Sequence, residues 1–326
     1  MQRLWQRMAL NRFAVLGRVG MDLYADPPGA RVEEARAFTT ALGGSAGNIA
    51  VALARQGTRA ALIGKVSDDA VGQWCLRELA GYGVDSAHVT ALGNGTRNSL
   101  AVTETRAEGC QVVLYRNGAT DLGLMKIDVE LVDFKPVSAL IVTGTALASE
   151  PSRSATLHAL ARARSAGALT VLDVDYRAYS WHAPDEARAI CLAAAEACDI
   201  TIGNDVEFDL MAGGDGRALA AHLARDRLFC IYKMGEAGSQ TFTPDYQFGT
   251  PIFPVRALKP MGAGDGFMGG LMAALARGAT LEAAVARGSA TAAMIVADVG
   301  CAPASPTTAE LDAFLAARGF HARSPV

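Results

Sequence analysis

The sequence predicts an α/β protein, with a mainly parallel central sheet covered by helices on both faces and a small β lid standing apart from it. Short apolar runs alternate with capped helical segments along most of the 326 residues, the pattern of strands buried on both faces. Two more polar stretches, about 22–40 and 96–117, alternate with period two and break that rhythm. From Met261 onward the chain reads as almost all helix, ending near Phe314. No repeat, low-complexity tract or linker divides it, so residues 12–318 are expected to form a single domain with the lid segments inserted within it.

RFAVLGRVGMDLY reads as a buried strand that ends at glycine. GGSAGNIAVALARQG then supplies a turn of small residues, a helix start at Ser45 or Asn48, apolar spacings of three and four, and a stop at Gly57. ALIGKV is a second short buried strand and DDAVGQWCLRELAGYG a second capped helix. The alternation continues through SALIVTGT, SRSATLHALARARSAG, LTVLDVD, EARAICLAAAEA, DITIGN and LFCIYKMG. TRNSLAVTETRAEGCQVVLYRN reads as a hairpin turning at EG, and a flap of this kind can close over a site and exclude water. An edge extension or a dimer contact is the other reading of the same stretch.

A net charge of −3, with lysine and arginine scattered, excludes a nucleic-acid surface or an anionic membrane as the expected partner. Small molecules remain. Six cysteines without a C-x-x-C pair and five separated histidines read as reduced thiols rather than a zinc site. No stretch approaches the ~20 apolar residues of a membrane span, and the N-terminus lacks the apolar core of a signal peptide. A soluble, cytoplasmic protein is expected.

KPMGAGDGFMGG, residues 259–270, carries the chemistry. Gly262, Ala263 and Gly264 have little or no side chain, so their backbone N–H groups can converge on an anion at the mouth of a helix. The helix dipole behind them adds positive potential. A carboxylate there, Asp265, would repel the anion unless it has a task, and accepting a proton from an attacking hydroxyl is such a task. An ordinary first-turn cap is the alternative. The G-x-x-x-x-G-K-[ST] loop is absent.

GAGD and its small followers, together with the earlier GGSAGNIAVALARQG, resemble the two signatures of the ribokinase-like (PfkB) carbohydrate kinases, over nearly the whole chain from Phe13 to Phe314. The resemblance implies a three-layer α/β/α core with a β lid, ATP as donor, Mg²⁺, and phosphorylation of a sugar hydroxyl with Asp265 as base. It implies that Asp22, at the end of the first strand, and Gly43, Gly44 and Asn48 bind the sugar. Asn204 and Glu207 in NDVE would help position Mg²⁺ and phosphates, Glu207 through water. Lys233, Gly235 and Gly238 in KMGEAGS fall where the family binds ATP, and Ser289 stands where relatives often carry an Asn facing the nucleotide. Lid-mediated dimers of the family make a homodimer through the lid an expectation.

GRVGMDLY, LYRNGATDLGL, LIVTGTALAS, VLDVDYRAYSW and GCAPASPT resemble a branch that phosphorylates the 6-hydroxyl of an anionic keto sugar acid in inositol catabolism. Arg116 and Arg177 are then the candidates to grip the carboxylate. The second signature departs from the usual pattern in opening with Lys259-Pro260, which puts a monovalent-cation site in doubt. Rival readings are a kinase for a similar deoxy keto acid, another sugar kinase, or a catalytically silent sugar-binding regulator.

Overall fold

A computed structural model describes residues 1–93 and 95–320 of the chain. The strands in chain order are β1 (Arg12–Leu16), β2 (Gly20–Asp26), β3 (Ala37–Gly43), β4 (Arg59–Ser67), β5 (Asp85–Leu92), β6 (Leu100–Thr103) and β7 (Val112–Tyr115). β8 (Ala139–Thr143), β9 (Leu169–Asp173), β10 (Ile200–Asn204), β11 (Phe229–Lys233), β12 (Ser239–Phe242) and β13 (Gln247–Thr250) follow. Nine of them form the central sheet in the order β13-β12-β11-β10-β9-β8-β1-β4-β5. β12 and β13 are antiparallel additions at one edge, and the rest of the sheet is parallel. The expected three-layer fold is present.

Strand alternation builds both interfaces. In β1, Phe13 and Val15 point into one core while Ala14 and Leu16 point into the other. The first core is closed by α1 (Gln2–Met8), α2 (Ser45–Arg55), α3 (Ala70–Gly81), α9 (Ala263–Ala276) and α10 (Leu281–Val296). The second is closed chiefly by α4 (Lys126–Glu130), α5 (Ser152–Ser165), α6 (Pro184–Ala197), α7 (Asp205–Ala212) and α8 (Gly216–Ala224). α11 (Thr308–Ala316) packs on α10 through Leu311 and Leu315. Leu4 and Met8 of α1 are fully buried, so α1 packs with the unit that was expected to begin at residue 12.

RFAVLGRVGMDLY is not one strand. Its first half is β1 of the central sheet, and its second half is β2 of a separate four-stranded sheet, ordered β3-β2-β6-β7. Gly17 and Arg18 form the joint. The lid therefore starts at Gly20 and reaches Gly43, wider than the 22–40 read from polarity, while β6 and β7 lie inside 96–117. Asp22 sits on a lid strand rather than at the end of β1.

Helix α3 is capped by Asp69, whose Oδ1 accepts from the amides of Val71 and Gly72 at 3.0 and 3.2 Å. Asp69→Ala is expected to destabilise the protein by about 1 kcal/mol, seen as an earlier urea midpoint. An unmoved midpoint would show that water caps the helix equally well.

Candidate active site

The chain order reverses between β1 and β8: β4 and β5 lie on one side, β8 to β11 on the other. Ligands of doubly wound sheets bind at the carboxyl ends of strands at such a switch. Thr143, Asp173, Asn204 and Lys233 are the last residues of β8, β9, β10 and β11, so these side chains converge at one end of the sheet.

Asp265 lies in the first turn of α9, whose N-cap is Gly262 in the left-handed region (φ 80°). Only glycine fits there, because a Cβ would lie 2.5 Å from Cys301 Sγ. The first helical bond is made by Gly266 N to Gly262 O, and the amides before it are the free donors of a helix start. Lys233 reaches the same place: its Nζ would lie 3.3 Å from a Cβ on Gly264 and sits over the Phe267 ring.

Asn48 Nδ2 donates to Asp265 Oδ2 at 2.8 Å, joining the two signatures across 217 residues of sequence. α2 starts at Ser45, one of the two expected starts, with Gly44 as an N-cap that makes no side-chain cap, so the Ser45 and Asn48 side chains are free to face the site. Ser45 Oγ donates to Asp175 Oδ2 at 2.5 Å, and Thr145 Oγ1 donates to the same oxygen at 3.0 Å. Asp175 Oδ1 pairs with Arg177 at 2.9 Å. The half-buried Asp265 carboxyl is deep enough in the protein for desolvation to raise it to about 6. Asp175 raises it further, while Asn48, Arg177 and Lys233 oppose. Burial pushes Asp173 well up too, with Lys233 opposing and Asp175, Glu207 and Asp265 reinforcing.

On the lid side, Asp22 is buried and its Oδ1 has no hydrogen-bond partner among the described residues. Gly43 lies against it, since a Cβ there would collide with the Asp22 carboxylate. Asn48 Oδ1 is likewise buried and unpartnered. These two orphan acceptors bear the cost of burial without a donor.

The remaining sequence candidates fall around this centre. Glu207 closes a capping box on α7: Oε2 accepts from Asn204 N at 2.7 Å and Asn204 Oδ1 accepts from Glu207 N at 2.9 Å. Its Oε1 accepts from Tyr176 N at 3.2 Å, so both oxygens already hold backbone. Gly235 and Gly238 flank the turn after β11, Gly238 tight against Thr250 and Pro251. Ser289 Oγ donates to Pro251 O at 3.1 Å, on the same wall. Arg116 is buried, giving Nε and Nη2 to Asp121 Oδ2 at 3.0 and 2.6 Å and Nη2 to Thr145 O at 2.9 Å.

Lys259 is fully buried and inward-facing. Its Nζ donates to Met261 O at 3.1 Å and Ile295 O at 2.9 Å. The ammonium thus sits on a carbonyl of the last turn of α10, where a helix presents negative potential. Burial lowers its pKa, with Cys301, Asp298 and Asp265 opposing.

The model of the pfkB family carbohydrate kinases matches residues 10–308. The chain belongs to that family. It is 40% identical over 312 residues to the 5-dehydro-2-deoxygluconokinase of Photobacterium profundum, spanning 93% of this chain and 94% of the relative. The Geobacillus kaustophilus protein of the same name is 34% identical over 311 residues, spanning 93% of each chain. Among solved structures, a Vibrio cholerae fructokinase with fructose, ADP and potassium superposes with a TM-score of 0.83. It shares 26% identity and spans 93% of this chain and 98% of its own. The calcium-bound form superposes at 0.84, also at 26% identity, spanning 94% and 99%.

For a pfkB kinase the sequence singled out Asp265, Asn48 and Lys233, which the fold brings together. It passed over Asp173, Asp175, Ser45 and Thr145. The signal for the first two was present: in LTVLDVDYR two acids stand where an apolar strand ends, Asp173 as the last residue of β9 and Asp175 just beyond it with φ 38°. Ser45 and Thr145 carried no local mark, because a hydroxyl among small residues reads equally as a turn.

Proposed function

We propose that this pfkB kinase is an ATP-dependent sugar-acid kinase that phosphorylates the 6-hydroxyl of 5-dehydro-2-deoxy-D-gluconate, with Asp265 as general base. The observation that carries the reading is the Asp265 carboxylate, oriented by Asn48 at the mouth of α9 beside Lys233. The substrate rests on the relatives' activity and on the arginine-rich surroundings of Asp22 and Asp175. Asp22 and Asn48, each with an unpartnered oxygen, hold the sugar hydroxyls. The reacting hydroxyl would give its proton to Asp265 as its oxygen bonds to the γ-phosphorus of ATP and the bond from that phosphorus to the bridging oxygen breaks, with ADP as the leaving group. The free amides of the α9 start and Lys233 meet the negative charge on the phosphoryl oxygens. The lid sheet excludes water from this centre.

The site fits the phosphates of a nucleotide, whose own oxygens and water would complete the shell of an accompanying Mg²⁺. A helix start with an adjacent lysine suits phosphate, and Asp173, Asp175 and Glu207 place negative charge beside it, although no three of the described acids, histidines or cysteines stand close enough together to hold a metal ion directly. ATP held there would supply the phosphoryl group, and Mg²⁺ would neutralise its charge. Because the Glu207 oxygens already hold amides, Glu207 would act on the metal only through water. Lys259 takes the place of a monovalent cation beside the loop. The exposed apolar side chains of Phe38, Val112, Val113 and Tyr115 on the lid support a homodimer through that sheet.

A coupled assay of ADP release over a panel of sugar acids and neutral ketoses tests the reading. The 5-dehydro-2-deoxy-D-gluconate reaction should have the highest kcat/KM. A neutral sugar in first place would reject the substrate, and no ADP release with any sugar would reject the kinase. The pH profile is a separate check. Asp265 serves as base only when ionised, so kcat/KM should rise with pH through about 6 and level off above. A flat profile from pH 5 to 7 would exclude Asp265 as the titrating base.

A further inference from the structure

Three arginines stand around the sugar side of the site, and two are already neutralised. Arg116 is locked to Asp121 inside the protein. Arg177 pairs with the buried Asp175. Arg18 differs: among the described residues its guanidinium makes one hydrogen bond, Nη1 to Ser99 Oγ at 3.0 Å, and has no carboxylate within salt-bridge distance.

Its place is fixed by the backbone. Arg18 lies in the joint between β1 and β2, and its carbonyl accepts from Gly47 N at 3.2 Å, against the first turn of α2. Gly20, two residues on, leaves the room that the guanidinium uses. A Cβ on Gly20 would lie 2.5 Å from Ser99 O and 3.2 Å from Arg18 Nη1. The charge is felt at Asp22, whose carboxyl is raised by burial and drawn back down by Arg18. A half-buried cation with free donors therefore stands near a buried acid that has an unpartnered oxygen, yet the two do not pair.

Resting on the sugar-acid reading above, we infer that Arg18 is the specificity-determining residue that recognises the substrate carboxylate, while Asp22 binds a neighbouring hydroxyl. An acceptor with both groups satisfies the free guanidinium donors and the orphan oxygen together. A neutral sugar satisfies only the second. The same charge that attracts the acid would leave an uncompensated, partly desolvated cation beside a neutral ligand, so discrimination comes from both directions.

The test compares 5-dehydro-2-deoxy-D-gluconate with its neutral carboxamide, by isothermal titration without nucleotide and by kcat/KM. Wild type should prefer the acid by at least about 30-fold, the scale of a desolvated charge pair. Arg18→Met should bring the two ligands within about threefold of each other, through loss on the acid. Arg177→Met should keep the preference. If Arg18→Met does not fold, Arg18→Lys, which retains charge but not the planar fork, should show a partial loss of preference. A wild type that binds the acid while Arg18 variants keep the full preference, or while Arg177→Met loses it, overturns the role of Arg18 alone. A wild type that binds neither ligand, or both equally, overturns the inference; binding neither overturns the substrate reading with it.

Discussion

Asp265→Asn is expected to lower turnover by about 10²–10⁴-fold, the range of general-base catalysis, with nucleotide affinity retained. The substitution keeps the size of the side chain and an oxygen for Asn48 Nδ2 to reach, so the α2–α9 contact persists. What disappears is proton acceptance. The α9 amides and Lys233 remain in place to hold phosphate, so binding of a fluorescent nucleotide analogue should change little. An Asn followed by Gly266 can deamidate back to the acid, and Asp265→Ala run in parallel guards against that artefact. Turnover above about a tenth of wild type in both variants would falsify the assignment, since a base of ordinary strength contributes more than that.

Lys259→Met should have the second largest effect. The change removes the donor to Met261 O and Ile295 O, and both carbonyls lie next to the loop that shapes the α9 start. A buried acceptor left unsatisfied costs about 1–3 kcal/mol, which corresponds to about 10–100-fold if it falls on the geometry of the loop. A potassium ion ~4 Å from a buried ammonium would be repelled by about 4 kcal/mol at an effective dielectric near 20. Wild-type activity should therefore be the same in potassium, sodium and tetramethylammonium buffers at matched ionic strength. In Lys259→Met, potassium or ammonium should restore part of the lost rate, because the two carbonyls are then free to bind it. Several-fold activation of the wild type by potassium, or full activity of the variant without it, would show that the ammonium does not stand in for an ion.

The layered core was legible because its signal is local. Strands such as ALIVT are continuous apolar runs buried on both faces, and helices such as AVGQWCLRELAG carry their periodicity, start and stop within a dozen residues. The split of RFAVLGRVGMDLY was not legible, because both halves are apolar and the turn at Gly17 and Arg18 is set by what each half pairs with. Asp22 was misplaced for the same reason: its strand belongs to the lid. Arg116 and Arg177 were visible as cations, but whether a guanidinium is free depends on Asp121 and Asp175. Those partners sit within five residues in the sequence, yet their pairing is decided by the burial of each acid. The inward turn of Lys259 was undetermined for a similar reason, since its acceptors include Ile295 of a distant helix.

The Asn48–Asp265 hydrogen bond also has a bearing on how the protein is made. Its donor leaves the ribosome early, whereas its acceptor follows 217 residues later. α2 and α9 pack on each other, and both belong to the same core as β1. Until α9 has been translated, the face of α2 at Ala52, against which Gly269 of α9 packs, lacks its cover, and the nascent chain exposes it. Long-range closure of this kind comes late and leaves partly folded chains prone to aggregation. Chaperone dependence should therefore concentrate in the interval between synthesis of α2 and synthesis of α9, and truncation before Met261 should yield insoluble protein even though most of the sheet has already been made.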